Sequence, residues 1–261
     1  MRNLVEERIN EENYNKYGTL MKIVEYNNAI DIIVEFQDEH RTKVHTSYQG
    51  FKKGEVKNPY DKTVYNVGYL GGEKYKTKIN NKKTKAYEVW MKMLQRCYDP
   101  YFINKHLTYK DCFVCEEWHN FQNFCKWFYK NYYECNGEQM CLDKDILCKG
   151  NKIYSPETCI FVPQRINNLF IKSNVIRGKY PIGVYWHKKS NKLIAQCQII
   201  DDDKYKQKHL GYFSLDRPFQ AFTVYKNFKE NYIKQVADKY KDLIPQKLYD
   251  VLYSYKVEIN D

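Results

Sequence analysis

Apolar positions first become regular at Leu20. Over residues 20–26 and 30–36 they recur near every second place, with Asn27-Asn28 between the two runs. A period of two puts alternate side chains on one face of a strand, and the Asn-Asn break suits a tight turn. The pattern therefore predicts a hairpin, with a third strand over 42–48. Gly54, Pro59 and the glycines of 68–72 then punctuate the chain, so that residues 1–72 read as a small all-β module whose first thirteen residues are a loose polar end. Residues 73–85 form a lysine-rich linker containing Lys82, Lys83 and Lys85.

From Thr84 the period changes. Tyr87, Trp90, Met91, Leu94, Cys97 and Tyr98 fall at i, i+3, i+4, i+7, i+10 and i+11, one stripe of a helix that Asp99-Pro100 stops. A short strand is expected over 112–115. A second helix follows from about Glu116, with Trp118, Phe121, Cys125, Phe128 and Tyr132 on one face. Residues 142–147 read as a short apolar strand and Gly150-Asn151 as a turn. Ser155-Pro156-Glu157 reads as a helix start: a capping serine, a proline at the first helical position, and an acid at the positive end of the dipole. Residues 164–169 continue that helix, and 172–179 make a basic joint.

The last segment alternates again. Strands are expected over 183–187, 193–200 and 208–213, the second and third joined by a turn at Asp201-Asp202-Asp203. A helix follows with Ala221, Tyr225, Phe228, Tyr232 and Val236 on one face. A final helix carries Leu248, Val251, Leu252 and Tyr255 and should dock on the rest. The reading is an α+β chain in four segments: 1–72, 73–85, 86–172 and 173–261.

Composition narrows the function. The 261-residue chain carries a net charge of +11, with a pI near 9.0, which makes an anionic polymer the default partner. The 26 tyrosines accompany abundant lysine and asparagine, a bias that an AT-rich genome also produces, so the aromatics alone do not signal base stacking. There is no apolar run of membrane-spanning length and no signal-peptide pattern, so a cytoplasmic protein with no membrane partner is expected. Nine cysteines in such a compartment are best read as reduced, buried thiols. Cys112 and Cys115 form a C-x-x-C, and Cys141 and Cys148 could supply a second pair, but structural zinc is not expected.

Candidate chemistry concentrates at Asp143-Lys144-Asp145, followed by Gly150-Asn151 and Ser155-Pro156-Glu157-Thr158. One reading is a solvated charged hairpin. The other rests on a resemblance: the stretch looks like the motif of the HNH (ββα-metal) endonucleases of bacteriophages and their mobile introns. On that motif Asp143 matches the metal-binding carboxylate, Lys144 the position of the general-base histidine, Gly150-Asn151 the turn, Pro156-Glu157 the helix opening, and Thr158 the second metal ligand, normally Asn. Asn167 matches an Asn of the motif's last stretch. The resemblance implies hydrolysis of phosphodiesters in double-stranded DNA with Mg²⁺ or a similar divalent ion, held by Asp143 with Asp145 and Thr158 assisting. Two of the three functional positions depart from the pattern. A charged lysine at 144 cannot accept a proton and could serve only as a clamp on phosphate or as an ordinary surface cation. His106 and His119 are candidate replacement bases. The segment ahead of this core resembles the small β domain that precedes such cores in phage proteins.

A second resemblance lies at the end of the chain. Gly183-Val184-x-Trp186, Ala195, Leu210-Gly211-x-Phe213 and Ala221 with Tyr225 are similar to the ethylene-response-factor (APETALA-type) DNA-binding domain. That family enters the major groove with a three-stranded sheet backed by a helix. The resemblance implies Tyr185, Trp186, Lys188, Lys189 and Lys192 as DNA contacts, with Lys82, Lys83 and Lys85 of the linker as further phosphate contacts. Three functions follow: a phage-type endonuclease of degenerate HNH class, a sequence-specific DNA-binding protein without catalysis acting as a regulator or anti-defence factor, or a basic protein-interaction module.

Overall fold

The structure, a computed structural model, describes residues 7–171, 179–201, 204–259 and 261. The basic joint up to residue 178 and the acidic turn at Asp202-Asp203 lie outside them. The fold is α+β, with several small, mostly antiparallel sheets. Two compact units divide the chain: Met1–Tyr132 with Gly150–Thr158, and Tyr133–Lys149 with Cys159–Asp261. These units cut across the four segments expected from sequence, because the chain leaves the first unit, returns for 150–158 and leaves again.

In the first unit, β1 (Glu12–Tyr14), β2 (Leu20–Asn28), β3 (Asp31–Phe36) and β4 (Lys43–Thr46) form an antiparallel meander in sequence order. The period-two residues Met21, Ile23, Ile32, Val34 and Phe36 are fully buried on one face. The β2–β3 turn falls at Ala29-Ile30 rather than at the two asparagines, since Asn28 Oδ1 accepts from Ile30 N. The expected third strand ends early because Ser47 caps a short helix, α1 (Tyr48–Lys52), accepting from Gly50 N.

The lysine-rich linker holds a small hairpin, β5 (Lys78–Ile79) and β6 (Lys82–Lys83). Asn80 and Asn81 turn it at φ 48° and 60°, the left-handed pair that a tight hairpin turn requires. Thr84 then caps α2 (Lys85–Tyr98). Asp99 ends that helix and begins the next, α3 (Pro100–Lys105), its side chain accepting from Tyr101 N and Phe102 N. Asn120 caps α4 (Phe121–Asn131), so a 3₁₀ turn occupies Glu116–His119 where the helix was expected to begin. The apolar stripes of α2 and α4 meet: Trp90, Leu94, Phe121 and Phe124 are fully buried, and Trp90 Nε1 donates to the Trp118 carbonyl at 2.7 Å. The short β7 (Phe113–Val114) runs parallel to β9 (Ile153–Tyr154).

The second unit begins with β8 (Met140–Asp143), paired antiparallel with β10 (Ile160–Pro163) so that Asp143 faces Ile160. The helix expected at Ser155 does not form. Thr158 Oγ1 donates to the Ile153 carbonyl at 2.7 Å, and Thr158 N donates to Ser155 Oγ at 3.4 Å, which closes a turn instead. The residues that follow, Ile160–Pro163, are buried at every position, a strand buried on both faces and not one face of a helix. The helix begins only after Pro163, as α5 (Gln164–Asn167).

The remainder matches the expected order. β11 (Val184–His187), β12 (Lys192–Asp201) and β13 (Lys204–Phe213) form an antiparallel sheet with β12 central. Val184, Leu193, Ala195 and Cys197 pack with Ala221 and Tyr225 of α6 (Pro218–Lys239). Gly183 has φ +76°, and a Cβ there would lie 2.1 Å from the Tyr225 ring, so only glycine admits this approach. α7 (Gln246–Ser254) buries Leu248 and Leu252. Among the described residues no helix is long and apolar enough to cross a membrane.

Candidate nucleic-acid interface

Register decides what the C-terminal sheet shows to solvent. Residues directly opposite in an antiparallel pair share a face, and successive residues alternate. Leu193, Ala195 and Cys197 are buried with Ala221 and Tyr225 of α6, so Lys192, Ile194, Gln196, Gln198 and Ile200 take the other face. Their partners join them there: Tyr185 and His187 from β11, and Tyr205, Gln207, His209 and Tyr212 from β13. A bulge between Ala195 and Gln196 absorbs Leu210, which packs on the core. It keeps His209 opposite Gln196 and turns Tyr212 outward. Gln198, Gln207 and His209 are exposed, and Tyr212 is 52% exposed.

The described positions of this outer face carry no carboxylate. They offer glutamine amides, imidazoles, phenols and Lys192. The His209 and Tyr212 rings lie 4.6 Å apart, and His187 Nδ1 is 2.8 Å from Ser190 Oγ. At the β11–β12 turn Lys188 and Lys189 are exposed, with Asn191 in the left-handed region at φ 49° closing the turn.

The resemblance-derived contacts thus divide. Tyr185 and Lys192 stand on the outer face, with Lys188 and Lys189 at its rim. Trp186 pairs with Leu193 and so belongs to the helix side of the sheet, 47% exposed. The Lys188 ammonium sits 5.9 Å from its ring centroid. Gln196, Gln198, Gln207, His209 and Tyr212 were not anticipated. The signal was present, because assigning Ala195 to the core sends Gln196 and Gln198 to the opposite face.

No protein-family model, no curated protein and no solved structure matches this chain.

The linker cations lie in the first unit. Lys82 and Lys83 are exposed on β6. Lys85 opens α2 and is engaged by Tyr132: its ammonium donates to the hydroxyl and stands 4.6 Å from the ring centroid.

The Asp143 stretch is built as a turn. Asp143 Oδ1 accepts from Asp145 N and from Ile146 N, both at 2.7 Å, an Asx-type closure at the end of β8. Partial burial pushes the Asp143 carboxyl above the usual carboxylate range, against the lowering by these two N–H donors and by the Lys144 charge. Lys144 is 4% exposed, and its ammonium lies 2.8 Å from Oδ2 of the exposed Asp145. Thr158 belongs to the other unit, where its hydroxyl donates to Ile153 O and accepts from Ser155 N at 3.2 Å. A hard divalent cation asks for several free oxygens at once. Here Asp143 keeps one oxygen outside its turn, Asp145 faces an ammonium, and the Thr158 hydroxyl is committed. The residues do not fit the ion that the HNH resemblance implies.

The remaining candidates have local work. His119 Nε2 is 3.1 Å from the Val114 carbonyl and 3.3 Å from the Tyr98 hydroxyl, and desolvation lowers its pKa. It is a bracing imidazole at the end of β7. His106 is exposed at the end of α3. None of the nine cysteines is in a disulfide. Among the described residues no three His, Cys, Asp or Glu side chains gather as a metal-holding group.

Proposed function

We propose that the chain is a sequence-specific double-stranded DNA-binding protein that reads the major groove with the outer face of β11–β13 and performs no hydrolysis at Asp143. One observation carries this: apart from Ile194 and Ile200, the described positions of that face present amide, imidazole, phenol and ammonium groups and no carboxylate. A strand ribbon fits the major groove, where glutamine pairs with adenine edges and lysine with guanine. Lys188 and Lys189 at the rim suit phosphates, which position without specifying. The net charge of +11 supplies the non-specific attraction. The likeness of this segment to the ethylene-response-factor type agrees with the assignment. In this reading the protein works in the cytoplasm, the host's if it is phage-encoded.

The test is selection of a consensus from random duplexes by the full chain, followed by fluorescence anisotropy at 50–200 mM salt. Affinity should fall by about 10³-fold or more across that range if about six phosphates are contacted. Gln198→Ala and His209→Ala should relax the consensus at single positions, by about 1–3 kcal/mol each. Lys189→Ala should weaken all sequences alike and reduce the salt slope by about one. No binding at 50 mM salt, or a consensus indifferent to both face substitutions, would remove the proposal.

A further inference from the structure

At Gly183, just ahead of the first residue of β11, the edge of β12 opens onto a cavity of about 180 Å³ within the second unit. Lys229 of α6 lines it and is 8% exposed. Among the described residues its ammonium has no hydrogen-bond or ion-pair partner, and its named electrostatic neighbour is the buried Cys197 thiol. The carboxylate in the lining, Asp261, is turned to other groups: Lys149 Nζ at 2.7 Å and Glu258 N at 2.8 Å. An ammonium largely withdrawn from water without a counter-ion is costly, and an anion entering the cavity would offset that cost. The rest of the lining suits a flat, polar ligand. Gln196, Gln198 and Gln207 each offer a donor and an acceptor, and Tyr185 and Tyr255 add aromatic lining.

We infer that this cavity binds a nucleotide, its phosphate on Lys229 and its base among the glutamine amides and tyrosine rings. The nucleotide could arrive free or as one residue of a DNA strand on the neighbouring face. The three glutamines belong to that face as well, so the inference rests in part on the proposed function. Binding of mononucleotides without DNA keeps the two separable.

The test uses the full chain and the four deoxynucleoside 5′-monophosphates, with inorganic phosphate in parallel, read by calorimetric titration and thermal shift. A mononucleotide should bind saturably and raise the melting temperature. Lys229→Met should weaken it by about 10- to 100-fold, the worth of a charge-assisted bond to phosphate, and Lys229→Arg should recover part of the loss. Gln198→Ala, at an exposed position, should also weaken it, and it serves should the methionine variant not fold. In the second arm a duplex carrying 2-aminopurine is titrated. A fluorescence rise given by wild type and lost in Lys229→Met, with free nucleotides silent, assigns the pocket to the strand. Equal stabilisation by phosphate and nucleotide, undiminished binding in both Lys229→Met and Gln198→Ala, or silence in both arms would each overturn the inference.

Discussion

Asp143 separates a structural carboxylate from a catalytic one, because asparagine keeps the first role and loses the second. Its Oδ1 accepts two backbone N–H groups at 2.7 Å, and an amide oxygen can accept both. In Asp143→Ala those donors lose their acceptor. Ile146 is 7% exposed, so its N–H is stranded, at about 1–3 kcal/mol. The Asp145 N–H lies beside an exposed side chain and can turn to water, which limits its loss to about 0.5–1.5 kcal/mol. Relief of the desolvated carboxylate offsets part of the total, leaving about 2–3 kcal/mol. For a chain of this size that is about 5–10 °C in melting temperature. Asp143→Asn should stay within about 1 kcal/mol of wild type. Burial raises the native carboxyl pKa above its unfolded value, so the native state holds its proton more tightly. Its contribution is then fully present below about pH 3.9 and lost as pH rises through the native value. Wild type should lose ground to the asparagine protein between about pH 4 and neutrality. Circular dichroism melts of the three proteins at pH 5 and 7.5 measure all of this. An alanine protein as stable as wild type, or an asparagine protein as unstable as the alanine one, would refute the reasoning.

Two further outcomes follow from the same geometry. Plasmid incubated with Mg²⁺ or Mn²⁺ should show no nicking by wild type or Lys144→His above the Asp143→Ala background, since one Asp143 oxygen is committed to a turn, Asp145 faces an ammonium and the Thr158 hydroxyl is committed to Ile153; metal-dependent nicking that vanishes in Asp143→Ala would restore the endonuclease reading. Gly183→Ala should destabilise the second unit by about 2–5 kcal/mol, from a positive φ and overpacking, because its Cβ would fall 2.1 Å from the Tyr225 ring; an unchanged melting curve would mean that Tyr225 has room to move.

The long elements were legible because burial wrote their period into the chain. β2, β3, β12, α2 and α4 each bury one face, and the apolar residues mark it. What escaped was built from backbone bonds or local polar contacts. β1 is three polar residues at a sheet edge, held by the β2 ladder and by little side-chain burial. The β5–β6 hairpin sits among lysines that read as a linker, although Asn80-Asn81 is itself a turn signal. Ser155-Pro156-Glu157 carries every mark of a helix start, yet one hydroxyl, on Thr158, turns the chain back to Ile153. Capping preferences say where a helix can begin, and the buried run at Ile160–Pro163 says that here it does not.

The same distinction governs the site. The sequence drew attention to charge: Asp143-Lys144-Asp145 and the lysines of the linker. In the structure the first group closes a turn, and of the linker lysines Lys85 is engaged by a tyrosine. The groups left facing outward in a constrained array are amides, an imidazole and a phenol, on Gln196, Gln198, Gln207, His209 and Tyr212, and none of them belongs to a charge cluster. A base edge is told apart by amides and imidazoles held at fixed spacing on a rigid strand, whereas a lysine at a flexible turn senses only that a phosphate is near. If the chain has sequence preference, it should therefore follow the parity of β12 and β13 and not the density of lysine. Gln198→Ala on β12 and Lys189→Ala at the β11–β12 turn are the substitutions that tell these apart.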